Sequence, residues 1–201
     1  MKKLLGLMMS LIIAVAAIAG GNETEKETKY KVVAAKSNIA WKGKKVTGEH
    51  FGKILFKQGS FTAHAEDLLA GEFVVDMSTI TCEDLDETYG AKLVGHLKSP
   101  DFFNVKEFPT SSLVITNIQA ESDENYTIEA TLTIKGISQP VVFPAQITMN
   151  GKTLAARGEL IFDRSLFDVR YGSGKFFEGL GDKMIYDDVA LSFVIVAEAS
   201  K

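Results

Sequence analysis

The chain has 201 residues, with 22 Lys and Arg against 26 Asp and Glu and a formal net charge of −4. Without residues 1–19, which hold two lysines and no acid, the balance is 20 basic to 26 acidic. That leaves neither the basic stripe that nucleic acid requires nor a polybasic patch for anionic membranes, and the single cysteine, Cys82, excludes an internal disulfide and a cysteine-based zinc cluster.

Lys2 and Lys3 precede an apolar run from Leu4 to Ile18, and Ala17-Ile18-Ala19 is a small-x-small cleavage pattern. Residues 1–19 read as a secretory signal peptide, because the apolar run is short and polar residues follow at once. The mature protein is then expected to be secreted and to lack an integral membrane span. Residues 20–29, which include NETEKETK, read as a polar linker. Residues 30–201 form one domain, long enough to bury a sizeable core.

That domain reads as strands almost throughout. Ile39–Val46 and Lys53–Phe61 flank Gly48, and Phe73–Met77 and Leu113–Ile118 are shorter strands. Between them lies one helix, Asp84–Leu97, with Leu85, Tyr89, Leu93 and Leu97 on one face. Asp84 with Glu87 fits a capping box, acids crowd its start, and Ser99-Pro100 stops it. Cys82 beside its start reads as a small, partly buried side chain, or as a thiol able to pair with a second chain.

Thr127–Ile137 alternates Ile128, Ala130, Leu132 and Ile134 with polar residues, the period of a half-buried strand. Asn150-Gly151 is a type I′ hairpin signal. A two-residue loop there pairs Met149 with Lys152, and hence Ile147 with Leu154, Ala145 with Ala156 and Val141 with Leu160. Pro144 suggests an edge-like stretch or bulge. In Asp188–Ala197, Leu191 and Phe193 share one face, while Ala190, Val194 and Val196 suggest cover on the other. Many antiparallel strands with one helix make an all-β barrel or sandwich, and periodicity alone does not choose between them.

No catalytic constellation stands out. His50, His64 and His96 are scattered, with no neighbours at ligand spacing, so no metal set is expected. Tyr171–Lys175, YGSGK, lacks the spacing and the final Ser or Thr of a phosphate loop. Asp163, Arg164, Asp168 and Arg170 form a charged cluster before it. These side chains are either ion pairs at strand ends or, for Arg164, Arg170 and Lys175, contacts for an anionic head group. The pairs Phe102-Phe103 and Phe176-Phe177 are candidates for core packing or for a ligand site.

Four blocks carry a resemblance: Val46–Phe61, Gly95–Asn104 (GHLKSPDFFN), Thr131–Val141 (TLTIKGISQPV) and Arg164–Asp188. Together they resemble the YceI-like family over about Tyr30 to Ala197, and the strings GKKVTGEH and LGDKMIYDD are similar to those of its Bacteroidetes members. The resemblance implies a lipocalin-like, eight-stranded antiparallel β-barrel with one α-helix packed on or across it. It further implies a hydrophobic bore for a polyisoprenoid or other long-chain lipid, a periplasmic location, no catalysis and no cofactor. Strand phase nominates Ile128, Leu132, Ile134, Phe143 and Ile147 as lining, followed by Leu154, Leu160, Leu191 and Phe193. Two other readings are an enzyme of isoprenoid or lipid metabolism using the same bore, and a structural homodimer without ligand.

Overall fold

The computed structural model describes residues 27–65 and 67–200. The expected signal peptide lies outside them. In chain order the strands are β1 (Thr28–Val32), β2 (Asn38–Lys45), β3 (Gly48–His64), β4 (Asp67–Asp76), β5 (Thr110–Ala120), β6 (Asn125–Ile134), β7 (Ile137–Asn150), β8 (Thr153–Asp163) and β9 (Ile185–Ala199). Helix α1 (Glu87–Lys98) joins β4 to β5. β1 thus starts inside the segment expected to be a linker.

All neighbours are antiparallel, and the sheet closes on itself through β3 and β4. β1 and β2 together form one staff between β3 and β9. β2 pairs with the first half of β3, as in Ile39 opposite Ile54, and β1 with the second, as in Tyr30 opposite Phe61. On the other side Trp41 faces Leu191 and Val32 faces Ala197. The result is a closed eight-stranded antiparallel barrel. Closure gives every described strand a neighbour on both sides over at least part of its length, which is how a chain of such long strands limits edge-to-edge association.

The β7–β8 register differs by two residues from the one expected. Asn150 pairs with Thr153, Met149 with Leu154, Ile147 with Ala156 and Ala145 with Gly158. The turn residues are Gly151 and Lys152, and Gly151 is the one with positive φ, at 52°. A shift of two keeps every side chain on its own face, so Ile147 and Leu154 still point inward without being partners. The type I′ pattern occurs one hairpin earlier. Lys135 and Gly136 have φ of 51° and 73°, and Ile134 pairs with Ile137. The run expected as one strand over Thr127–Ile137 is therefore the end of β6, a turn and the start of β7.

Pro140 and Pro144 lie on the part of β7 that pairs with β6 alone, since the β8 register ends at Ala145. That is the edge-like stretch a residue without an N–H tolerates. Lys135 Nζ reaches Asp168 O at 2.6 Å and Gln139 Nε2 reaches Leu166 O at 3.3 Å, closing the split between β7 and β8. The outer face of β9 is open, with Val194 exposed.

α1 begins three residues later than expected. Asp86, not Asp84, caps it, accepting from the N–H groups of Thr88 and Tyr89 at 2.9 and 3.0 Å. The buried face also differs from the one expected. Gly90 and Leu97 are buried and Leu93 half-buried, while Tyr89 is 61% exposed. Residues 79–84 take the place of β4 beside the first half of β3. Thr81 N–H donates to Lys53 O and Glu83 N–H to Phe51 O, both at 2.9 Å. Trp41 Nε1 adds a bond to Thr81 O at 2.9 Å.

Candidate functional site

The inward faces of the strands enclose a cavity of about 240 Å³ in the half of the barrel beneath α1. Its wall is built from alternate residues of successive strands: Ile54 and Phe56 of β3, Phe73 of β4, Ile128, Leu132 and Ile134 of β6, and Phe143 and Ile147 of β7. Leu160 and Phe162 of β8 and Leu191 and Phe193 of β9 complete it. Leu93 and Leu97 of α1, with Phe102 and Phe103, lie across the end. The other half of the barrel lies outside this cavity. Tyr30, Ala63, Leu154 and Ala197 are buried there, and the Tyr30 hydroxyl donates to Gly151 O at 3.1 Å.

Most residues nominated from strand phase are therefore on the cavity wall: Ile128, Leu132, Ile134, Phe143, Ile147, Leu160, Leu191 and Phe193. Leu154 is not. It is fully buried, but in the other half, opposite Met149. Phe102 and Phe103 line the cavity, and Phe102 sits in a cluster of rings with His96 at 5.2 Å and Tyr171 at 5.8 Å. Phe176 and Phe177 are exposed and away from it, in the loop before β9, with the Arg170 guanidinium over the Phe176 ring at 4.9 Å.

The three candidate head-group cations are all engaged by the protein itself. Arg164 lines the cavity, is 1% exposed, and donates to the carbonyls of Tyr186, Val169 and Ile185 at 3.2, 2.8 and 3.1 Å. Its Nη2 lies 3.2 Å from Asp187 Oδ1, an ion pair without hydrogen-bond alignment. Burial lowers the pKa of the guanidinium, and Asp187 and Asp163 act against that. The other Asp187 oxygen accepts from the buried Ser173 hydroxyl at 2.9 Å. Lys175 is paired with Asp163 and also donates to Ser165, and Arg170 is paired with Asp168.

At the rim, Gly43, Lys44 and Lys45 of β2, His50 of β3 and Ile185 and Tyr186 of β9 border the cavity. His50 Nδ1 is 2.7 Å from Asp84 Oδ2. Burial alone would raise the pKa of the Asp84 carboxyl. Bonds from the Phe51 N–H, His50 and the Cys82 thiol outweigh this and hold it below its ordinary value. The Cys82 thiol is pushed up, chiefly by burial, which is the wrong direction for a reactive thiolate.

The rim lysines and the wall residues of β3 and β5 were not evident from sequence, for different reasons. Lys45 is in phase with Ile39, Trp41 and Gly43, so its inward position was available from alternation. Irregular pairing between Phe56 and Gln58, and between Ile115 and Asn117, breaks that alternation within β3 and β5.

A family profile described as the YceI-like domain matches residues 30–197. A UPF0312 protein of Yersinia enterocolitica is 26% identical over 155 residues, covering 75% of this chain and 74% of its own. A UPF0312 protein of Photorhabdus laumondii is 31% identical over 102 residues, so the match spans 51% of this chain and 50% of that relative. Among solved structures, BcnA of Burkholderia cenocepacia superposes with a TM-score of 0.67 at 23% identity, covering 82% of this chain and 98% of its own. A polyisoprenoid binding domain from Saccharophagus degradans, implicated in plant cell wall breakdown, superposes with a TM-score of 0.62 at 14% identity, covering 85% and 98%. At these identities the superpositions establish the shared barrel.

Proposed function

This chain belongs to the YceI-like family, and from that premise we propose that it is a periplasmic lipid carrier, exported by residues 1–19, that holds a polyisoprenoid or similar long apolar chain in its bore. The observation that carries the reading is the cavity itself, a space of about 240 Å³ walled by aliphatic and aromatic side chains from eight strands, β2 to β9, and roofed by α1. Each methylene transferred from water to such a wall is worth roughly 0.8 kcal/mol, so a chain of several prenyl units can be held without specific polar contacts. No Asp or Glu is among the residues that line the cavity. The wall therefore offers no carboxyl acid–base pair to a bound chain, which favours carriage over chemistry. The Saccharophagus domain with the same barrel is described as binding polyisoprenoid, and that agrees with this use of the bore.

Trp41, the single tryptophan, borders the cavity and provides the test. Titration of lipid-stripped protein with a polyprenol should change Trp41 emission saturably, with one site per chain. Emission that does not respond, with no polyprenol retained on gel filtration, would overturn the proposal.

A further inference from the structure

The charged lining of the cavity has one sign. Lys44, Lys45 and Arg164 border it, with no carboxylate, in a chain whose overall charge is negative. Arg164 is spent on three carbonyls and Asp187. Of the carboxylates near the rim, Glu49 is paired with Lys42 at 3.3 Å and Asp84 with His50, while Glu159 and Asp188 border the outer groove beside Lys44 and not the cavity. Among the described residues neither Lys44 nor Lys45 has an ion-pair partner. Both sit at the tip where β2 turns into β3, with Lys44 exposed and Lys45 half-buried.

Below this rim the wall is apolar, so a charged group cannot descend without losing its hydration. A bound amphiphile is therefore oriented chain inward, with its head beside the two lysines. Resting on the lipid-carrier reading, we infer that the ligand is a single-chain amphiphile with an anionic head group, a phosphate or carboxylate, held by Lys44 and Lys45. The neighbouring β3 strand contributes His50, whose Nδ1 is committed to Asp84, so the two ammonium groups are the charged groups on the cavity border that lack a carboxylate partner. Ammonium groups suit this role as mobile point charges at an open rim, where the fixed fork of Arg164 is sequestered.

The test compares geranylgeranyl monophosphate with geranylgeraniol, which share a chain and differ in the head. Lipid-stripped full-length protein is titrated with each, following Trp41 emission. The phosphate should bind about tenfold more tightly, as two partly exposed ion pairs would give. The variant K44E/K45E should lose that preference, while K152E at the opposite end should behave as wild type. The wild-type preference should also shrink at high salt, a measurement that needs no variant. Equal affinity for both ligands in the wild type, or a preference that survives K44E/K45E, overturns the head-group assignment and leaves the carrier reading intact. Binding of neither ligand overturns both.

Discussion

Arg164 and Asp187 form an ion pair at one end of the bore, their Nη2 and Oδ1 atoms 3.2 Å apart, with the arginine almost wholly sealed from solvent. A desolvated pair of this kind is costly to break from one side, because the partner left behind keeps its charge without compensation. Arg164→Leu should cost about 3–5 kcal/mol in urea unfolding. Arg164→Leu with Asp187→Leu should recover part of that loss. Arg164→Lys should rescue poorly, since an ammonium cannot reach three carbonyls at once. Strict additivity in the double variant would show that the two side chains are not coupled.

Gly52 supports the strap that lies beside β3. A Cβ there would stand 2.0 Å from Thr81 O, the atom that accepts from Trp41 Nε1. Gly52→Ala should therefore displace residues 79–84 and cost about 1–3 kcal/mol, as overpacking does. Gly43→Ala, which meets nothing within 4 Å, should stay within about 0.5 kcal/mol. Thermal unfolding of the two variants side by side checks the contrast.

Asp84 links that strap to β3 through His50 and the Phe51 N–H. Its carboxyl titrates below its ordinary value of 3.8 in the folded chain. The sign follows from linkage: a depressed folded pKa stabilises the protein above the unfolded pKa, and the contribution disappears as pH falls through the folded one. Between neutral pH and about pH 3, the wild type should thus lose more stability than Asp84→Asn. Parallel pH profiles for the two proteins would remove Asp84 from the account.

Leu132 is buried in the wall of the cavity on β6. Leu132→Trp should fill the bore and lower the amount of lipid retained several-fold, at a stability cost of about 1–3 kcal/mol. Circular dichroism establishes that the barrel has formed, and mass spectrometry of organic extracts reads the load. An unchanged load in a folded variant would show that the ligand does not pass Leu132.

The period-two strands were legible because burial is one-sided in a barrel. Ile128, Leu132 and Ile134 follow from alternation alone, and eight of the nine residues taken from strand phase line the cavity. Where Leu154 was misplaced, phase was right but depth was not: alternation says which face a residue takes, and says nothing of how far along the bore the packing closes. The hairpin register failed for a local reason. Asn150-Gly151 and Lys135-Gly136 both offer a glycine for positive φ, and in the fold the second adopts the double left-handed turn, on which Lys is an uncommon residue. The helix was displaced because Asp84 and Asp86 are both competent caps, and His50, distant in sequence, engages Asp84. Contacts of that range leave no local pattern. The same holds for Arg164 and Lys175, whose partners Asp187 and Asp163 are met only after folding.

Native mass spectrometry of the protein purified from its own host, before and after organic extraction, shows whether the bore carries a lipid. A mass excess of one long-chain amphiphile per protein is expected, released by extraction and recovered as a lipid with an anionic head. A protein that flies at its bare polypeptide mass before extraction, from cells and buffers free of competing detergent, would contradict it.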